Sequence, residues 1–153
     1  MNQLKLSHLN PAYSTAYLLQ NYDFGASNSS GQEPTIVDIG GSRGEISIAI
    51  TRQHPNTHCI VQDLPDTISN LEIPEDVQGR VESMQHDFFT PQPVKGADVY
   101  FLRWILHDWS DEYGVRILRG VAQGMGPHSK VVVNEICVPE PGECGIKAER
   151  ECR

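Results

Sequence analysis

Ile36-Val37-Asp38-Ile39-Gly40-Gly41-Ser42-Arg43-Gly44 is a short apolar run that ends in an acid and then turns on glycines. Glycine lets a backbone turn tightly and lets a ligand approach where a Cβ would stand. The segment therefore predicts a buried strand, Thr35–Ile39, a turn, and a helix over Gly44–His54 with Ile46, Ile48, Ala49 and Ile50 on or near its inner face. In open α/β sheets such turns lie beyond the carboxyl ends of the strands, where ligands bind. A glycine-rich turn of no special purpose would look much the same.

Downstream the pattern repeats. Strands are expected at His58–Gln62, Arg80–His86, Ala97–Leu102 and Lys130–Ile136. Helices are expected at Pro65–Leu71 and at Asp111–Met125, the latter bearing Val115, Ile117, Leu118, Val121 and Ala122. Strands alternating with helices imply a doubly wound, mostly parallel α/β sheet built from right-handed crossovers. Upstream, Leu9, Tyr13, Tyr17, Leu18 and Leu19 suggest an amphipathic helix over Ser7–Tyr22, followed by a Gly/Ser-rich loop from Gly25 to Pro34. The expected division is a linking helix and loop over 1–34 and a ligand-binding domain over 35–153.

The 153 residues are 39% hydrophobic and 21% charged, with a net charge of −8. That acidity, without a basic cluster, speaks against nucleic acid and against an anionic membrane surface as partners. No apolar run has the length of a signal peptide or a membrane span, so the cytoplasm is the expected compartment. Cys59, Cys137, Cys144 and Cys152 form no CxxC pair. They suit a reducing compartment, and Cys59 and Cys137 read as small buried hydrophobes.

The turn lacks the GxxxxGK[ST] of a P-loop and the GxGxxG of a dinucleotide fold, which disfavours a nicotinamide oxidoreductase. It does fit an acid-x-Gly-x-x-x-Gly pattern through Asp38, Gly40 and Gly44. Asp63, after the second strand, can accept from both hydroxyls of a ribose, or cap the helix after it. Asp87, after the third, can accept from an adenine amino group while Phe88 covers the ring; it can also be a plain loop acid. Together these acids at successive strand ends form one rim.

The fourth strand runs into Arg103-Trp104-Ile105-Leu106-His107-Asp108-Trp109-Ser110-Asp111. Histidine exchanges a proton near neutral pH, and a neighbouring carboxylate can orient it. The tryptophan faces could pack on an aromatic substrate, which makes Trp104 and Asp108 substrate-side candidates. Ser110 or Asp111 is expected to cap the helix that follows, and a solvent-facing histidine before such a cap is the bland alternative. Glu135, near the end of the fifth strand, is costly there unless paired. The imidazole of His107 across adjacent strand ends can pair it; simple exit into solvent is the alternative.

The segments VDIGGSRG, QDLPDTI, HDFFTPQP and above all RWILHDWSDE resemble S-adenosylmethionine-dependent O-methyltransferases of the plant and fungal caffeic acid and flavonoid type. HDFFTPQPVKGADVY is most similar to the fungal secondary-metabolism branch. The resemblance runs from about Asn10 to Gly142 and implies a Rossmann-like methyltransferase sheet. It implies that Gly40 and Gly41 lie against the methionine part of the cofactor, with Asp38 behind the turn. Asp63 would take the ribose, Asp87 and Phe88 the adenine. Arg103 stands where the family usually has a lysine near the cofactor carboxylate. His107 would be the general base that deprotonates a hydroxyl of a small aromatic or polyketide-like acceptor, and Glu135 one of two acids that hold it. No metal is implied. Family members run well over twice this length, so the resemblance implies a chain truncated at both ends and a sheet incomplete at its C-terminal edge. A homodimer or a partner methyltransferase chain is then expected to cover Lys130–Ile136. A remnant that binds the cofactor or such a partner without turnover is the second reading.

Overall fold

The computed structural model describes residues 14–26, 31 and 33–135. Residues 7–13 of the expected first helix, Ile136, Cys137, Cys144, Cys152 and the tail lie outside the described residues.

The sheet has five parallel strands: β1 (Thr35–Ile39), β2 (His58–Asp63), β3 (Val81–Gln85), β4 (Val99–Arg103) and β5 (Lys130–Asn134), in the order β3-β2-β1-β4-β5. Helix α1 (Thr15–Asn21) precedes the sheet, α2 (Glu45–Gln53) joins β1 to β2, α3 (Pro65–Ile68) follows β2, and α4 (Asp111–Ala122) joins β4 to β5. From central β1 the chain moves outward through β2 to β3, then returns past β1 to β4. Right-handed crossovers running in opposite directions put α2 and α4 on opposite faces. This is the expected doubly wound architecture, and it creates a switch point between β1 and β4.

Both faces of the central strands are buried, which explains their near-continuous apolar runs. Ile36, Cys59, Val61, Val81, Val99 and Phe101 pack on one side with Ile50, Leu18 and Phe24. Val37, Ile39, Tyr100 and Leu102 pack on the other with Ile117 and Val121. Phe24 sets its ring edge-on to Phe101 at 5.5 Å, so the segment after α1 belongs to the first core. Cys59 is fully buried, as its placement in a strand suggests, and burial pushes its thiol up to about 11.

The helices depart from the sequence reading in three ways. Ser14 has extended dihedrals, and its hydroxyl accepts from the Tyr17 N–H, so α1 starts at Thr15 rather than running unbroken from Ser7. In α2 the fully buried residues are Ser47, Ile50 and Thr51, while Ile46, Ile48 and Ala49 are only partly covered. Polar side chains take the inner face there because each has a partner: Ser47 donates to Asp38, and Thr51 donates to the Ser47 carbonyl. In α4 the inner stripe is Ile117, Gly120 and Val121, whereas Val115, Leu118 and Ala122 face outward. Ser110 takes the N-cap position of α4 by backbone geometry alone, its carbonyl accepting from the Gly114 N–H.

Candidate active site

The carboxyl ends of the strands gather the glycine turn (40–44), Asp63, the Asp87–Phe89 segment and the loop after β4. The turn is fixed from below. Gly40 and Gly41 both donate their N–H groups to the carbonyl of Gln62, at 2.8 and 3.1 Å. Gly40 has a φ of 71°, and a Cβ on it would lie 2.5 Å from Ile105 Cδ1. A Cβ on Gly41 would lie 2.7 Å from the Asp38 carboxylate. Neither position has room for a side chain. Gly40 lets the turn come close to β4's exit loop, and Gly41 lets it lie against Asp38 and Val61.

Asp38 sits directly behind the turn, 3% exposed, and accepts from the Ser47 hydroxyl at 2.7 Å. Burial raises its carboxyl to about 6, with the Ser47 bond and the Arg103 charge pulling the other way. Arg103 is lowered by its own burial and supported by the charge of Asp38. Its guanidinium donates to the Asn134 side chain at 2.8 Å and lies over the Trp104 ring at 4.6 Å.

Asp63 closes β2 with its carboxylate facing the turn. One oxygen accepts from the Ser42 N–H at 2.9 Å and the other from the Leu64 N–H at 2.7 Å. Each oxygen keeps a further lone pair, so these bonds orient the group without exhausting it. Leu64, not Asp63, takes the N-cap position of α3. Asp87 accepts from the Phe89 N–H at 2.9 Å, closing a tight turn that holds Phe88 next to Gly40. Burial lowers the neighbouring His86.

Beyond β4, Trp104 takes a left-handed φ of 54° and donates its N–H to the Asn134 carbonyl at 3.1 Å. That reversal aims the next two N–H groups, of Ile105 and Leu106, at Glu135 Oε1, both at 2.7 Å. The other oxygen of Glu135 lies 2.8 Å from His107 Nδ1. His107 Nε2 is 3.4 Å from an Asp108 oxygen. Glu135 is 13% exposed and His107 40%, so the acid is sheltered while the imidazole opens outward. The contact can be a donation from Nδ1–H to Glu135, in the tautomer whose Nε2 carries the lone pair. Trp109 is 38% exposed and meets Phe89 at 4.7 Å and Phe88 at 5.9 Å in edge contacts.

All the candidate residues thus meet at one end of the sheet, at its switch point. Sequence reasoning missed Ser47, Gln62, Asn134 and Ile105. Only Asn134, beside Glu135 at a strand exit, carried a signal. Among the described residues no group of three or more His, Cys, Asp or Glu side chains could hold a metal ion. No described helix is long and apolar enough to cross a membrane.

Residues 14–150 match the O-methyltransferase domain family. The chain is 50% identical over 109 residues to the O-methyltransferase kk1A of Curvularia clavata, covering 71% of this chain and 26% of that protein. It is 40% identical over 142 residues to the O-methyltransferase fsr2 of Gibberella fujikuroi, covering 90% of this chain and 36% of that protein. The chain therefore spans about a quarter to a third of the length of these relatives. Among solved structures it is similar to NcsB1, an O-methyltransferase from neocarzinostatin biosynthesis in complex with S-adenosyl-L-homocysteine and 1,4-dihydroxy-2-naphthoic acid. That match has a TM-score of 0.68 and 29% identity, covering 85% of this chain and 38% of that one. With its parallel sheet, its glycine turn and its His-Glu pair at the strand ends, this chain belongs to the O-methyltransferase domain family.

Proposed function

We propose that the protein is an S-adenosylmethionine-dependent O-methyltransferase of secondary metabolism that methylates a hydroxyl of a small aromatic or polyketide-like molecule. The observation that carries this reading is the 2.8 Å contact between His107 Nδ1 and Glu135, placed beside the glycine turn at the sheet's switch point. It orients a proton acceptor next to a site suited to a nucleoside.

The residues fit the cofactor. A side chain at Gly40 or Gly41 would clash, so the turn presents bare backbone to a ligand. In this reading Gly40 and Gly41 face the methionine part with Asp38 behind them. Asp63 accepts from the ribose hydroxyls, Asp87 and Phe88 hold the adenine, and Arg103 faces the carboxylate. When bound, S-adenosylmethionine supplies an activated methyl group. The chain's own part is to bind, orient and move one proton. His107 Nε2 takes that proton from the acceptor hydroxyl, Glu135 holds the tautomer that leaves Nε2 free to do so, and Asp108 and Trp104 border the acceptor. Positioning supplies most of the remaining rate. The buried thiol of Cys59 suits the cytoplasm.

The second reading is a chain that binds the cofactor, alone or beside a fuller methyltransferase partner, without turnover. Calorimetric titration with S-adenosylhomocysteine, followed by transfer of labelled methyl to hydroxylated aromatic acceptors, separates the two. No binding would end both. Binding with turnover that survives His107→Ala would end the role of His107.

A further inference from the structure

Gln62 and Gln92 are each 1% exposed, and their side-chain amides bond reciprocally. Gln62 Nε2 donates to Gln92 Oε1 at 2.8 Å, and Gln92 Nε2 donates to Gln62 Oε1 at 2.9 Å. Burying two amides is tolerable only because they satisfy each other. Two apolar side chains would fill the same space without that condition. What they would not do is fix orientation, which two antiparallel bonds between planar groups do.

The backbone of Gln62 reaches the cofactor crevice, while the further bonds of Gln92 fasten the loop that follows Asp87 and Phe88 to α4 and to its own next residues. The backbone carbonyl of Gln62 is the group that accepts from Gly40 and Gly41. Its neighbour Asp63 accepts from Ser42 in the same turn. Gln92 lies in the connection from β3 to β4, shortly after Asp87 and Phe88. Its Oε1 also accepts from the Val94 N–H at 3.1 Å, its own N–H donates to the Gly120 carbonyl at 3.1 Å, and its carbonyl accepts from Lys95 Nζ at 2.8 Å. One amide pair therefore ties the strand end beneath the glycine turn and beside Asp63 to the loop that carries the chain on from Asp87 and Phe88.

We infer that Gln62 and Gln92 are positioning residues for the cofactor, setting the relation between the glycine turn and the Asp87–Phe88 segment. The inference rests on the cofactor reading given above. It assigns the pair a part in affinity beyond filling the core.

The test uses the full chain and three variants: Gln62→Leu, Gln92→Leu and the double Leu variant. Each single change breaks both bonds of the pair, leaves the surviving amide with Val94 N–H or Met84 Sδ alone, and should lower the melting temperature. The double change removes both amides together and leaves only the Val94 N–H without its acceptor, so it should cost less than the two single changes added. If the pair positions the crevice, the double variant folds yet binds S-adenosylhomocysteine about tenfold more weakly. The amide resonances of Gly40 and Gly41 shift with it. A double variant that regains both wild-type affinity and those resonances overturns the inference, since the pair then serves burial alone. Gln92→Met covers the case in which the double variant does not fold, because the Gln62 amide still donates to Met84 Sδ. Unchanged affinity in Gln92→Met overturns the inference equally. A wild-type chain that does not bind S-adenosylhomocysteine overturns the cofactor reading itself. Binding by the wild type with unaffected variants removes only the role of the pair.

Discussion

One oxygen of Glu135 holds the imidazole of His107, and the other holds the N–H groups of the two residues just before it, Ile105 and Leu106. A single carboxylate thus sets both the ring and the loop that carries it. Glu135→Gln separates those tasks. The glutamine carbonyl can still accept from Ile105 and Leu106, while its NH2 faces Nδ1. Nδ1 must then accept, the ring proton moves to Nε2, and Nε2 can no longer take a proton. Turnover should fall roughly two to four orders of magnitude, the range for loss of a general base. The melting temperature and the affinity for S-adenosylhomocysteine should stay near wild type. Wild-type turnover in this variant would show that Nε2 is not the acceptor.

Asp63 already spends bonds on Ser42 and Leu64, so removing it acts twice, on the turn and on the ligand. Asp63→Ala is expected to weaken S-adenosylhomocysteine by about 1–3 kcal/mol. Calorimetry measures this directly, and equal affinities would remove Asp63 from the ribose role.

Stability should depend on pH through Asp38. An ordinary aspartate ionises near 3.9. Burial raises Asp38 to about 6 in the folded chain, so the folded state holds this proton more tightly than the unfolded one. Its contribution to stability is therefore full below about pH 4 and lost as the pH rises to about 6, a change of order 3 kcal/mol. Asp38→Asn keeps an acceptor for Ser47 and cannot ionise. Urea unfolding at a series of pH values should show the wild type losing stability relative to the variant across that window. Parallel curves would mean that Asp38 ionises as freely in the folded chain as in the unfolded one.

Among the described residues β5 pairs with β4 alone, and Val133 is 44% exposed. A strand edge left unpaired recruits other strands, and a lysine on it discourages that. Sedimentation velocity at micromolar concentration should find the chain self-associated, and Val133→Lys less so. A monomer that melts cooperatively would show the edge to be covered.

The sheet was legible because β1, β2, β4 and β5 carry short apolar runs and four strand ends their own marker: Asp38 with the glycines, Asp63 before Leu64-Pro65, Asp87 before Phe88, and His107 after Trp104; β3, Val81-Glu82-Ser83-Met84-Gln85, has no such run. Hydrophobic periodicity failed where polarity faces inward. Ser47 and Thr51 look like solvent positions until Asp38 and the Ser47 carbonyl supply their partners. It failed again on α4, where Gly120 takes an inner place because it comes close to backbone, and Val115 and Leu118 are displaced outward. Gln62 and Gln92 lie 30 positions apart, and nothing in either neighbourhood announces the other. Glu135 and His107 could be matched from the sequence because adjacent parallel strands bring their exits together; the bonds of Glu135 to Ile105 and Leu106 could not, since they depend on the dihedral of Trp104.

That dihedral limits how the acceptor side can diversify. A left-handed backbone costs a residue with a Cβ about 1–2 kcal/mol, and glycine, asparagine and aspartate tolerate it best. Trp104 carries this cost with Arg103 stacked on its ring, which in the proposed reading borders the acceptor. Exchanging it for another bulky residue changes the wall and keeps the penalty; exchanging it for glycine removes both. Selection for new acceptors at this position therefore trades pocket shape against folding free energy, and a library randomised there and sorted for stability alone should drift toward small residues and lose the wall.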